Sequence, residues 1–243
     1  MKVSLVIPMY NESSIIDDAI KTFSEYLKSK YEDWELIFVD DGSKDGCGDA
    51  VRKASEEEPR IRLEGYPDNR GKGCAVRTGM LAANGDIVVF TDCDNAYGED
   101  AVGRMIDMFS ENDADVIIGS RNLSKDGYKD YTFIRKIASK TYIKVIAIAA
   151  GFKLSDSQSG IKGFRREAAQ KIFRNCEVDR FAFDLEAIMI AQKAGFKIAE
   201  MPVTIINHRE SKVRVLRDAL KMLSDVRKMK KRIKKMELNY NQN

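Results

Sequence analysis

A chain of 243 residues with 44% hydrophobic content and a formal charge of only +3 has the apolar material for one sizeable core, which excludes a disordered polypeptide and suits a single large domain with an appendage. Four scattered cysteines (Cys47, Cys74, Cys93, Cys176) without a CxxC pair, and a single histidine, His208, argue against a zinc site and suit a reducing cytosol. No signal-peptide pattern opens the chain, and the longest strictly apolar run, Val145 to Phe152, falls far short of the ~20 residues of a membrane-spanning helix.

Lys2 to Pro8 reads as a buried strand, and from Ser13 the spacing of Ile16, Ile20, Phe23 and Leu27 predicts a helix with Ser13 as its cap. Glu35 to Val39 is the next strand, Asp40-Asp41-Gly42-Ser43 its turn, and Cys47 to Glu57 a helix stopped by Pro59. A short strand Ile61 to Leu63 leads into the glycine-bearing loop Asn69 to Gly73, a helix to about Ala83 and a strand from Asp86 that ends at Asp92. Three βα units in succession imply a mostly parallel sheet flanked by helices. Farther on, Asp115 to Gly119 and Lys197 to Ile206 read as strands, Ile134 to Phe152 and Phe183 to Gly195 as helices. From Ser211, an apolar stripe of Val213, Leu216, Leu220, Leu223, Val226, Met229, Ile233 and Met236 predicts a long amphipathic helix. Between Ser211 and Met236 eleven Lys or Arg face two Asp, so this stretch carries +9 and the remainder of the chain −6. The division expected is residues 1–210 as the catalytic domain and 211–243 as a basic helical tail.

Four polar clusters fall just after predicted strands: Pro8 to Glu12, Asp40 to Ser43, Asn69 to Gly73, and Asp92-Cys93-Asp94. In a parallel sheet all four meet at one edge, beyond the carboxyl ends of the strands, where such sheets bind ligands. An acidic pair at that edge can hold Mg²⁺ or Mn²⁺ against a diphosphate, Asp41 can accept from a base N–H, Tyr10 offers an aromatic face and Lys72 offsets diphosphate charge.

Together with Gly119-Ser120-Arg121, Asp156-Ser157-Gln158-Ser159-Gly160 and Phe181 to Glu186, these segments resemble the family 2 inverting glycosyltransferases of GT-A fold, over residues 3 to 212. Within that family the pattern is similar to the polyprenyl-phosphate sugar transferases, the dolichyl-phosphate mannose synthases and, more so, the dolichyl-phosphate glucosyltransferases. The Asp-x-Gln-x-Gly form and the segment Arg209 to Val213 favour the glucosyl type, and Ala96 stands where the mannose synthases often supply a metal-binding glutamine. The resemblance implies that Pro8, Tyr10, Glu12, Val39 and Asp41 hold base and ribose, that Lys72, Asp92, Cys93 and Asp94 face the diphosphate, and that Asp92 and Asp94 bind the metal. It implies Arg121, Arg135, Ser139 and Arg209 as acceptor-phosphate contacts. Asp156 matches a position sometimes proposed as base; it could equally bind the sugar or order the arginines.

The function expected is metal-dependent transfer of a hexose, glucose from UDP-glucose, to polyprenyl or dolichyl phosphate. A lipid phosphate, with a second pKa of about 6, is largely ionised near neutrality and needs no general base. The alternatives are a transferase acting on a saccharide hydroxyl, with Asp156 or Asp184 as base, a dolichyl-phosphate mannose synthase using GDP-mannose, and a non-catalytic nucleotide-sugar sensor with a partner-binding tail. Arg135 and Ser139 share a helix face, Lys136, Lys140 and Lys144 form a ridge, and Ile137, Val145, Ile148 and Phe152 are left as apolar positions, a composition that suits a headgroup layer. The tail, with Tyr240 as its one aromatic, suits an anionic leaflet or helix pairing in a homo-oligomer better than nucleic acid. Residence at the cytoplasmic face of a membrane is the expectation.

Overall fold

The computed structural model describes residues 1–128, 141, 145–207 and 215–237, the last stretch with its side chains from 224 onward. Four parallel strands open the chain: β1 (Val3–Met9), β2 (Trp34–Asp41), β3 (Ile61–Tyr66) and β4 (Ile87–Phe90). They alternate with α1 (Ile16–Lys30), α2 (Cys47–Glu57) and α3 (Lys72–Ala82). Then come α4 (Glu99–Glu111), β5 (Val116–Ser120), a 3-10 turn (Arg121–Leu123), a helical stretch at 145–150, β6 (Lys162–Arg165), α5 (Arg166–Arg174), α6 (Phe183–Ala194), β7 (Ile198–Pro202) and α7 (Val215–Lys234).

The seven strands form one sheet in the order β3-β2-β1-β4-β6-β5-β7. Strand order reverses between β1 and β4, which leaves a crevice at the carboxyl ends of both. β6 alone runs antiparallel, pairing Phe90 with Lys162. Its antiparallel sense brings its leading loop to the edge where β1, β2, β4 and β5 finish.

Because strand side chains alternate, the two faces carry separate cores. Leu5, Ile7, Phe38, Ile87 and Val89 pack under α1, α2 and α4, while Val6, Val39, Phe90 and Phe164 pack under α3, α5 and α6. Val226, Met229 and Ile233 of α7 join the second core. The same alternation sorts the acidic pair's neighbourhood: Asp92 continues the Phe90 face, and Cys93 falls into the α4-side core, 6% exposed.

The first half matches the expected elements closely, apart from the start of α1. Ser13 does not cap α1, which starts from Ile15 without a side-chain cap; the Ser13 N–H instead donates to Asp45 (2.8 Å). The late strand is shorter than predicted, ending at Pro202. In the second half α4, β6 and α5 are additions to the expected set. Of the helix expected from Ile134 to Phe152, 145–150 is helical, with Ile146, Ala147 and Ala150 buried and Val145 (45%) and Ile148 (70%) exposed. Among the described residues no helix is long and apolar enough to cross a membrane.

Candidate active site

Each polar cluster stands at the end of a strand, and each is fixed by neighbours from another. Asp41, the last residue of β2 and 3% exposed, accepts from the Tyr66 hydroxyl (2.8 Å), the Asn69 amide (2.7 Å) and the backbone N–H groups of Arg70 and Gly71 (2.8 and 2.9 Å). Its carboxylate thus shapes the loop that leads into α3. Asn11, held at φ 54°, donates its N–H to Ser43 Oγ (2.9 Å) and accepts the Lys44 N–H on its side-chain oxygen (2.9 Å). Asp45 takes the N–H groups of Ser13 and Cys47. Burial pushes the Asp45 carboxyl up, but the Ser13 and Cys47 donors outweigh it and bring its pKa down to about 2. The β1 and β2 loops are thus tied together just after Tyr10, which stays 44% exposed.

Lys72, the first residue of α3, ion-pairs with Asp92. Burial pulls its pKa down, yet Asp92, then Asp184 and Asp94, together hold it above the usual lysine value. Asp184, in the first turn of α6, receives Lys162 Nζ at 2.8 Å, and that ammonium also donates to the Ser159 carbonyl (2.6 Å) and lies 5.6 Å from the Phe90 ring centroid. Burial pushes the Asp184 carboxyl up, against the pull of Lys162 and Lys72. Lys162 is a fully buried cation on a strand, tolerated because a carboxylate, a carbonyl and a ring face enclose it.

The loop before β6 closes over Asp92. A Cβ on Gly160 would stand 2.0 Å from Asp92 Oδ2, so any side chain there would push the carboxylate aside; the Gly160 N–H donates to Tyr97 Oη (2.8 Å). Asp156 in the same loop is fully buried and bidentate to Arg121, Nε at 2.6 Å and Nη2 at 3.0 Å, and also accepts the Arg121 and Gln158 N–H groups. Although burial alone lowers the Arg121 pKa, Asp156 raises it well beyond the ordinary arginine value.

Tyr10, Glu12, Asp41, Lys72, Asp92, Asp94, Arg121 and Asp156 therefore gather along one sheet edge. Val39 and Cys93 are buried in opposite cores, so what they offer a donor is backbone, and Pro8 is buried within β1. Arg135, Ser139 and Arg209, the ridge Lys136, Lys140 and Lys144, and His208 lie outside the described residues. Sequence reading missed Tyr97, Lys162 and the Asp41 ligand Tyr66. A lysine inside the apolar run Ile161 to Phe164 was the one available signal.

Among the described residues no three His, Cys, Asp or Glu side chains cluster as a self-contained metal cage. The donor set still fits Mg²⁺ or Mn²⁺, which bind through one or two carboxylates and complete their shell with phosphate oxygens. Asp92 and Asp94 are such carboxylates, both partly exposed at the crevice, and the missing Gly160 side chain leaves Asp92 room.

A model of glycosyl transferase family 2 matches residues 4–173. The chain belongs to this family. It is 33% identical over 223 residues to a dolichyl-phosphate beta-glucosyltransferase of Trichomonas vaginalis, covering 88% of this chain and 68% of that protein. It is also 33% identical over 236 residues to a dolichyl-phosphate beta-glucosyltransferase of Dictyostelium discoideum, covering 92% and 72%. The structure of glucosyl-3-phosphoglycerate synthase from Mycobacterium tuberculosis, in complex with Mn²⁺, UDP-glucose and phosphoglyceric acid, superposes with a TM-score of 0.67 at 19% identity, over 97% of this chain and 81% of that one. The fold is thus of GT-A type, and the family 2 chain is a glycosyltransferase.

Proposed function

We propose that the protein transfers glucose from UDP-glucose to a polyprenyl phosphate of the dolichyl type, with inversion at the anomeric carbon. The observation that carries this reading is the meeting of Lys72, Asp92, Asp94 and Asp184 at the β1/β4 crevice of a family 2 chain. The names of the relatives support the sugar and the lipid, and the Mn²⁺ and UDP-glucose bound by the structural neighbour support the donor and metal.

A specific feature favours the phosphate acceptor over a sugar hydroxyl. Asp156, the carboxylate that would serve as base for a hydroxyl acceptor, is fully buried and sealed in its bidentate bridge to Arg121, so it does not stand ready to take a proton. A phosphate monoester largely ionised near neutrality needs none taken. Its oxygen attacks the anomeric carbon from the face opposite UDP, the new C–O bond forming as the bond to the diphosphate breaks and its electron pair leaves with UDP. Lys72 offsets the charge that grows on the departing diphosphate. Asp92 and Asp94 would hold Mg²⁺ or Mn²⁺, which when bound would add to the neutralisation of the same group. Tyr10 offers the uracil an exposed ring at the end of β1, and Asp41 keeps the Asn69 to Gly73 loop in shape around it.

The outward Val145 and Ile148, with Arg227, Lys228, Lys231 and Lys234 exposed along α7 and Lys235 just past its end, support docking on an anionic leaflet where the lipid acceptor resides. Lys230 links the two elements by donating to the Ala149 carbonyl (3.0 Å). The test is to offer UDP- and GDP-sugars with short prenyl phosphates and Mg²⁺ or Mn²⁺ and to identify the product. A β-glucosyl phosphoprenol made from UDP-glucose is expected; transfer only to saccharide hydroxyls would overturn the reading.

A further inference from the structure

The C-terminal helix reaches the donor site through a continuous set of polar contacts. Arg232 on α7, its side chain 25% exposed, donates to the Asn175 carbonyl from both Nη1 and Nη2 (3.2 Å each), pairs with Glu177 Oε1 (2.7 Å) and pairs with Glu186 Oε1. Glu186 is fully buried, and its second oxygen accepts the N–H groups of Glu177 (2.9 Å) and Val178 (2.8 Å). Segment 175–180 is therefore gripped by a carboxylate from α6 and a guanidinium from α7.

The other side of that segment is the wall of the donor loop. The Asp179 carbonyl accepts the Cys74 N–H (3.1 Å), the Asp179 carboxylate holds Arg77 of α3 (2.6 Å), and the Cys176 carbonyl accepts from Arg77 Nη1 (3.3 Å). Contact is close enough that a Cβ on Gly71 would lie 2.5 Å from the Asp179 oxygen, and one on Gly73 2.4 Å from the Val178 oxygen. Lys72 sits between those two glycines. Where 175–180 goes, the start of α3 must follow, and with it the ammonium that faces Asp92.

We propose that Arg232 is a positioning residue for the donor site: from the C-terminal helix it fixes segment 175–180 through Glu186, and that segment sets Lys72 against the pyrophosphate. The proposal rests on reading Lys72 and Asp92 as the diphosphate site. Loss of Arg232 strands the buried Glu186 carboxylate, so the segment it organises must shift or take up water. A helix otherwise suited to a lipid surface is thereby part of the machinery that binds a water-soluble nucleotide.

Calorimetry of UDP binding in the presence of Mn²⁺, on the full chain, tests this. Arg232→Met should weaken UDP about tenfold and raise the KM for donor while leaving that for acceptor, and Arg232→Lys, which keeps the charge but not the fork, should fall between. Val226→Ala on the same helix is the control: it removes core packing, lowers Tm and should leave UDP affinity within about twofold. In a Lys72→Met background, which by itself weakens UDP, Arg232→Met should add less than about twofold, since coupled residues are not additive. The proposal is overturned if Arg232→Met binds UDP normally, if Val226→Ala weakens UDP equally, or if the Arg232 loss persists undiminished without Lys72. Should Lys72→Met itself bind UDP as the wild type does, the donor-site reading falls first and the proposal with it.

Discussion

At the scale of single residues, the site depends on what is missing as much as on what is present. Gly160 lets Asp92 occupy space that any side chain would fill, so Gly160→Ala should displace the carboxylate without unfolding the sheet. The expected loss is about a hundredfold in kcat/KM, as for a misplacement of roughly 1 Å, with an unchanged circular dichroism spectrum. Asp156→Asn separates a base from a brace: as a brace for Arg121 it should cost about tenfold in kcat and leave both limbs of the pH–rate profile in place. A loss of several orders with one limb gone would restore Asp156 as the base. Lys162→Met leaves Asp184 without its cation in a dry setting and should destabilise the fold by about 3–5 kcal/mol in urea titrations.

At the scale of elements, the loops after β1 and β2 behave as one unit because Asp45 and Asn11 bridge them. The ordinary aspartate pKa is about 3.9, and the folded value here is about 2, so the stabilisation from Asp45 is fully present above roughly pH 4 and fades as pH falls through 2. Asp45→Asn should therefore be less stable than the wild type at neutrality, with the difference in melting temperature closing between about pH 4 and pH 2. The Ser13 cap, plausible from local spacing, does not form because the helix begins two residues later, with Ile15 at the cap position. Strands β1, β2 and β4 were legible because apolar runs bounded by turn residues can be little else. β6 was not, since four residues containing Lys162 and Arg165 read as a strand only when Asp184 and the Phe109 carbonyl supply partners from distant helices. α4 was written plainly enough in Ala101, Val102, Met105, Ile106 and Phe109, a helical stripe the sequence reading passed over.

At the scale of the molecule, the tail does more than its composition suggested. Eleven cations on a helix read as an appendage, yet Val226, Met229 and Ile233 lie in the same core as Phe90 and Phe164. Deleting residues 211–243 would uncover that core, so charge reversal is the cleaner probe of membrane docking. Replacing exposed Arg227, Lys228, Lys231 and Lys235 with Glu should abolish binding to anionic vesicles in a sedimentation assay, each removed charge weakening it by about 1 kcal/mol, while UDP binding is retained. Undiminished vesicle binding would remove α7 from the docking surface.

Local chemistry was enough to determine the alternation of strand and helix, the placing of Asp41, Lys72, Asp92 and Asp94 in or beside the loops that follow the strands, and hence the edge at which a ligand is held. Those features depend on hydrophobic period and turn residues, which act over a few positions. Only the folded chain decided which of these groups are spoken for: Asp41 by the Tyr66 to Gly71 loop, Asp156 by Arg121, Asp184 by Lys162 and Glu186 by Arg232. Each of these pairings joins residues at least 22 positions apart, and such partners meet only after the sheet has closed, because the burial that makes an unpaired charge costly does not exist until then.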